Sequence, residues 1–137
     1  MNIHEKSKIL HSYKRSEQSH SLAKSSKEIV QILLVELERS MNIVADKLEN
    51  KGNEQSKNDI EIKNRHFSKA MTAIYTLQVS LNFDAGQDIA IKLFQLYEYC
   101  RKNLIKGFVR KAVLDIRKAA TAIADILAAW NIYLERK

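Results

Sequence analysis

Apolar residues recur along this chain every three or four positions in four separate stretches, divided by polar or glycine-bearing breaks. Val30, Leu33, Leu37, Met41, Val44 and Leu48 form the first row, and Phe67, Ala70, Ile74, Leu77 and Leu81 the second. Such spacing lines one side of an α-helix, which turns once every 3.6 residues. A third row, Ile89, Leu93, Leu96, Cys100 and Leu104, is broadened by Ile91, Phe94, Tyr97 and Ile105. The fourth is the most regular: Val109, Val113, Ile116, Ala120, Ile123, Leu127, Trp130 and Leu134 alternate four and three, as in the seam of a left-handed bundle. Beside it Ala112, Ala119, Ile126 and Tyr133 recur every seven residues, a second flank of small or apolar side chains.

The breaks predict where these helices stop. Ser25-x-x-Glu28 has the form of a capping box that opens the first helix, and Gly52 within a polar loop from Asn50 to Ser56 closes it. The second helix is expected from near Asn58 to Asn82, the third between Gly86 and Gly107, and the fourth from there to the chain end. With no proline and three glycines, the composition favours helix throughout. Short connections make successive helices antiparallel. The expected architecture is all-α: an antiparallel four-helix bundle over residues 25–137, preceded by a mobile or loosely packed leader, residues 1–24. A bundle helix needs about three apolar positions in seven. The third and fourth helices exceed that, so the leader or a partner is expected to cover the surplus.

Charge adds an asymmetry. The formal net charge is +7, and Arg101, Lys102, Lys106, Arg110, Lys111, Arg117 and Lys118 crowd one turn against the single acid Asp115. Such a balance favours an anionic partner or surface. The leader is also basic, with Lys6, Lys8, Lys14, Arg15, Lys24 and Lys27 against Glu5 and Glu17. No apolar run is long enough to span a bilayer, and Met1 to Lys6 lack the apolar core of a secretory signal, so a cytoplasmic location is expected. The lone Cys100 has no partner for an internal disulfide and reads as a small core residue.

Catalytic chemistry has no support in the pattern. His4, His11, His20 and His66 are dispersed, and none pairs with an acid at metal-site spacing, so each reads as solvated or locally satisfied. Three isolated glycines cannot form a phosphate loop. Ser25, Ser40 and Ser80 have no adjacent base. No enzyme activity, metal or cofactor is expected.

The segment Ser80-Leu81-Asn82, then Gly86, then Leu93-x-x-Leu96-Tyr97-x-Tyr99, reads as one helix ending, a turn, and another helix beginning. In that order it resembles the flagellin export chaperone family, FliS. Leu104-Ile105 and Trp130 extend the resemblance over roughly residues 70–133. Toward the N-terminus Ser25-Ser26 and Leu33-Leu34-Val35-Glu36 stand where the family writes Ser-Pro and Leu-Tyr-Asp-Gly, marking a divergent member. The resemblance implies a chaperone that holds the C-terminal segment of flagellin in apolar grooves, prevents premature polymerisation and aids export, with the export apparatus or assembly factors as further partners. It implies Leu81, Asn82, Leu93, Leu96, Tyr97 and Leu104 as flagellin-binding residues, with the Tyr97 hydroxyl expected near solvent. Leu10 and Tyr13, like the family's N-terminal tyrosine segment, are the expected groove cap. The alternatives are a basic helical nucleic-acid-binding module, for which no sequence-specific signature is present, or another helical adaptor.

Overall fold

A computed structural model describes residues 26–50, 56–84 and 86–136. The expected leader, including Leu10 and Tyr13, lies outside these residues, as do Ser25 of the expected capping box and Gly52. Four helices account for nearly all of the described chain: α1 (Ser26–Glu49), α2 (Lys57–Val79), α3 (Gln87–Arg110) and α4 (Val113–Glu135). Helix α1 packs extensively on both α2 and α4; α3 packs on α4 and more thinly on α2, and scarcely meets α1. The helices therefore stand at the corners of a square, with α1 diagonal to α3. Cross-helix partners run in opposite directions along each neighbouring pair: Lys47 meets Asp59 while Ser40 meets His66, Gln31 meets Asn131 while Asn42 meets Arg117, Gln78 meets Glu98 while Phe67 meets Phe108, and Cys100 meets Ala119 while Gly107 meets Ile116. The fold is the expected antiparallel four-helix bundle.

The core follows from the first, second and fourth apolar rows. Leu37, Met41, Val44 and Leu48 are buried with Ala70, Ile74 and Leu77 from α2 and Ile116, Ala120 and Ile123 from α4. Leu34 and Ala45 widen the buried face of α1 to a second row, because this helix is covered from two sides. Polar anchors hold the same seams. Arg117 donates to the Asn42 side chain (2.9 Å) and pairs with Asp46 (2.6 Å) and Glu49 (3.3 Å), and the Trp130 indole N–H donates to the Lys27 carbonyl (3.0 Å). Lys47 reaches Asp59 at 2.8 Å, while the Ser56 hydroxyl accepts the Asp59 N–H and caps α2. His66, the one histidine among the described residues, is locally satisfied as expected: it is buried with Nδ1 3.1 Å from the Ser40 hydroxyl.

Three sequence expectations change. First, Gly107 does not end the third helix; α3 continues through it to Arg110. Gly107 is instead a place where α4 comes close to α3, since a Cβ there would sit 2.3 Å from Ile116 Cγ1 and 2.9 Å from the Ala112 carbonyl oxygen. The helix stops at Lys111, in the left-handed conformation (φ 58°), and the Ala112 N–H closes back on the Gly107 carbonyl at 3.0 Å. This is a Schellman-type ending in which lysine occupies the position glycine usually takes. Second, Val109 consequently belongs to the exposed end of α3, and the fourth seam begins at Val113. Third, the buried line of α3 is Ala90, Tyr97, Cys100, Leu104 and Gly107, so Ile89 falls outside the core.

Candidate functional site

The motif residues divide into three groups once folded. Leu104 and Tyr97 belong to the core. Tyr97 is only 3% exposed, and burial pushes its phenol up to about 12. The expectation of a solvent-facing Tyr97 hydroxyl is thus corrected: the ring fills the centre of the bundle, and neither Tyr97 nor Leu104 offers its side chain to a partner while the bundle stays closed. Cys100, one turn along, is held the same way, with its thiol pushed up to about 12 by burial and its Sγ 3.7 Å from the Ala119 carbonyl. It is an inert packing residue rather than a reactive thiol.

Leu81 and Asn82 form the second group, on the α2–α3 turn. Leu81 is partly buried against the core, and the Asn82 side-chain oxygen accepts the Asp84 N–H at 3.1 Å. Asn82 is exposed, but this bond commits its oxygen to shaping the turn. Phe83 follows, exposed, with its ring 6.4 Å from that of Phe94.

Leu93 and Leu96 form the third group, on the flank of α3 that turns toward α4. The Cys100–Ala119 contact and the Gly107–Ile116 approach set the antiparallel register of the pair. Carried back along both helices, that register brings Leu96 level with the Ile123–Ile126 turn and Leu93 level with Ile126 to Trp130. Leu93 packs partly on the core, and Leu96 stays partly exposed. Ile89 continues the α3 flank and is 69% exposed. The facing flank of α4 carries Ala122, Ile126, Ala129 and Tyr133, spaced four, three and four. Tyr133 is steadied at the far end, its ring 5.2 Å from that of Trp130 and 4.9 Å from the Lys27 ammonium. By that register Ile89, Leu93 and Leu96 of α3 and Ile126 and Tyr133 of α4 flank the line along which the two helices meet, an apolar strip called the furrow below.

Sequence reading placed Ile89 in the core row and missed its exposure. The signal was present in the spacing: Ala90 and Tyr97, seven apart and continuing to Leu104, define a line beside Ile89, Leu93 and Leu96, and only one of two adjacent lines can occupy the centre. On the α4 side the seven-residue recurrence divides: Ala119 is fully buried beside Cys100, Ile126 is partly buried against the core, and Tyr133 is exposed.

The opposite flank of α3 is polar where it meets α2. Glu98 accepts from Gln78 Nε2 (2.9 Å) and from two nitrogens of Arg101 (2.8 and 2.9 Å). Arg101, then Gln78, pull its carboxyl down to about 2. Further along, Phe67 of α2 stacks on Phe108 at 4.1 Å.

No group of three or more His, Cys, Asp and Glu side chains that could hold a metal occurs among the described residues, and no described helix is long and apolar enough to cross a membrane. Ser40 beside His66 has the residue types of a nucleophile and base, but its complete burial closes it to substrate. The arrangement is suited to binding by apolar contact.

Comparison with known proteins agrees with the motif order. No curated protein sequence matches the chain. A family model does: that of flagellar protein FliS, over residues 9–136. Because this match runs through all four helices, the chain belongs to the FliS family of flagellar export chaperones.

Proposed function

We propose that this chain holds the C-terminal segment of flagellin in the cytoplasm, with the apolar side of that segment laid along the α3–α4 furrow as a helix. The carrying observation is the surplus apolar flank of α3: Ile89, Leu93 and Leu96 present a continuous edge that the bundle itself leaves partly uncovered. A disordered segment that folds on such a surface buries its own apolar residues there, which withholds them from subunit contacts until export. Leu81 and Asn82 stand at the turn as secondary contacts, and Leu10 with Tyr13 would cap the furrow when no client is bound. Export apparatus or assembly factors would receive the loaded chaperone.

Calorimetry against a flagellin C-terminal peptide tests the reading. Leu96→Ala and Ile89→Ser should each weaken binding by about 1–3 kcal/mol, the range for loss of an interface anchor. Melting should stay near that of the parent chain, since neither residue belongs to the core. Binding should survive about 0.5 M salt, whereas a phosphate-binding basic module would release its ligand. Full affinity in both folded variants would move the client away from this furrow. Unchanged affinity after deletion of residues 1–20 would remove the cap.

A further inference from the structure

A second surface on α3 has no part in that reading. The eighteen residues from Glu98 to Asp115 hold five cations, Arg101, Lys102, Lys106, Arg110 and Lys111, against two acids, Glu98, which pairs with Arg101, and Asp115. In the structure Lys102, Lys106 and Arg110 stand one turn apart in a row, and together with Ile105 and Val109 they line an open depression of about 480 Å³. Its floor is apolar, and Val109 is 71% exposed. Lys106 is partly engaged by Asp115 at 3.3 Å; among the described residues no carboxylate lies within ion-pair distance of Lys102 or Arg110. Immediately past the turn, Leu114 is 75% exposed. At 100° per residue, Ile105 and Val109 lie on the far side of α3 from Leu96, so this surface and the furrow are separate.

We propose that this face docks an acidic amphipathic helix of a second protein partner, independently of the client furrow. The pattern it offers is specific: cations at every fourth position flanking apolar residues at every fourth position. Its complement is a helix with carboxylates in one row and aliphatic residues in the next, running alongside α3. Nucleic acid would use the cations but has no use for exposed Val109, and no aromatic side chain lines the depression for bases to stack upon. An anionic bilayer is the weaker fit as well, because stable membrane attachment by an amphipathic helix takes a broad apolar face, and here two residues form the floor. The chain's own leader is an unsuitable occupant, since Lys6, Lys8, Lys14, Arg15 and Lys24 would meet cations of like sign. Attraction between opposite charges would speed the encounter, and the apolar floor would hold the complex.

The test uses the full chain and a designed peptide helix with leucines four apart beside rows of glutamate, compared with a scrambled peptide of identical composition. The designed peptide should bind at least about ten-fold more tightly than the scrambled one, a preference that net charge alone cannot produce. Lys102→Glu together with Arg110→Glu should abolish that preference, and Val109→Ser should reduce it several-fold; all three residues are exposed, so folding should be preserved. Binding of the flagellin peptide should be unaffected by these changes. Equal binding of designed and scrambled peptides would overturn the proposal. So would tighter binding to vesicles of anionic phospholipid or to duplex DNA than to the designed helix, if the same charge reversals abolish it.

Discussion

Helices α1 and α3 are each 24 residues long and carry similar apolar content, yet the bundle uses them in opposite ways. Helix α1 is covered on two sides by α2 and α4, and nearly all its larger apolar residues are buried or partly buried, Ile32 and Val35 excepted. Helix α3 has one broad neighbour, α4, and a thin seam with α2, so Ile89, Ile91, Tyr99 and Val109 remain exposed. The polar anchors follow the same division: Arg117, Gln31, Trp130, Lys47 and Ser40 all fasten α1 to its neighbours. One helix organises the bundle, and the other displays surface. A binding protein needs both, because apolar residues shown to a client contribute little to folding and must be carried by a core that holds without them.

The sharpest test of this division sets core against flank within α3 itself. Tyr97→Ala should destabilise the bundle by about 3–5 kcal/mol, as truncation of a buried aromatic does, whereas Leu96→Ala should cost less than about 1.5 kcal/mol. Urea unfolding midpoints would measure both. Comparable losses would mean that Leu96 is a core residue and no part of the furrow.

A smaller effect is expected where α3 and α4 touch. Gly107→Ala must displace Ile116 or separate the helices, at about 1–3 kcal/mol, the usual cost of overpacking. Combining it with Ile116→Val should recover part of that loss, since the two changes share one contact. Gly86→Ala is the control, because a Cβ there meets nothing within 4 Å. If Gly107→Ala melted like the control, the close approach of α3 to α4 would be wrong.

Lys111→Gly should raise stability by about 0.5–1 kcal/mol by relieving the left-handed backbone that ends α3. Lys111→Ala, which removes the charge but keeps the conformational cost, should show no such gain, and thermal melts of the two variants would separate these causes.

The gentlest probe addresses the α1–α2 seam through pH. Burial, followed by the nearby Lys69, Arg39 and Arg65, holds His66 below its ordinary value of 6.5, with Glu36 opposing. The folded state therefore binds a proton less readily than the unfolded chain. Stability from this group is fully present above pH 6.5 and declines as pH falls through that value toward the lower folded one. A His66→Gln variant should lose this slope in unfolding experiments between pH 7 and 5. Retention of the slope would assign it to another group.

Much of the fold is legible in residue order because helix periodicity is a local property. The rows through Leu37, Ile74 and Ile123 identify three buried faces directly, and the family motif from Ser80 to Tyr99 identifies the turn between α2 and α3. Amphipathic spacing reveals which side of a helix is apolar. Where that side is wider than a core can accommodate, as on α3, spacing leaves two adjacent lines equivalent. The position of α4 decides between them: its approach at Gly107, and the Cys100–Ala119 contact, rotate α3 so that Ala90, Tyr97 and Leu104 point inward while Ile89 and Leu96 remain outside. Gly107 shows the same limit, since a glycine that ends a helix and one that admits a neighbouring helix are identical in sequence. Local order thus determined four helices, their antiparallel sequence and the apolar surplus. The choice of which apolar residues to show belonged to the tertiary structure, because burial depends on the neighbour that packs against a helix as well as on the pattern along it.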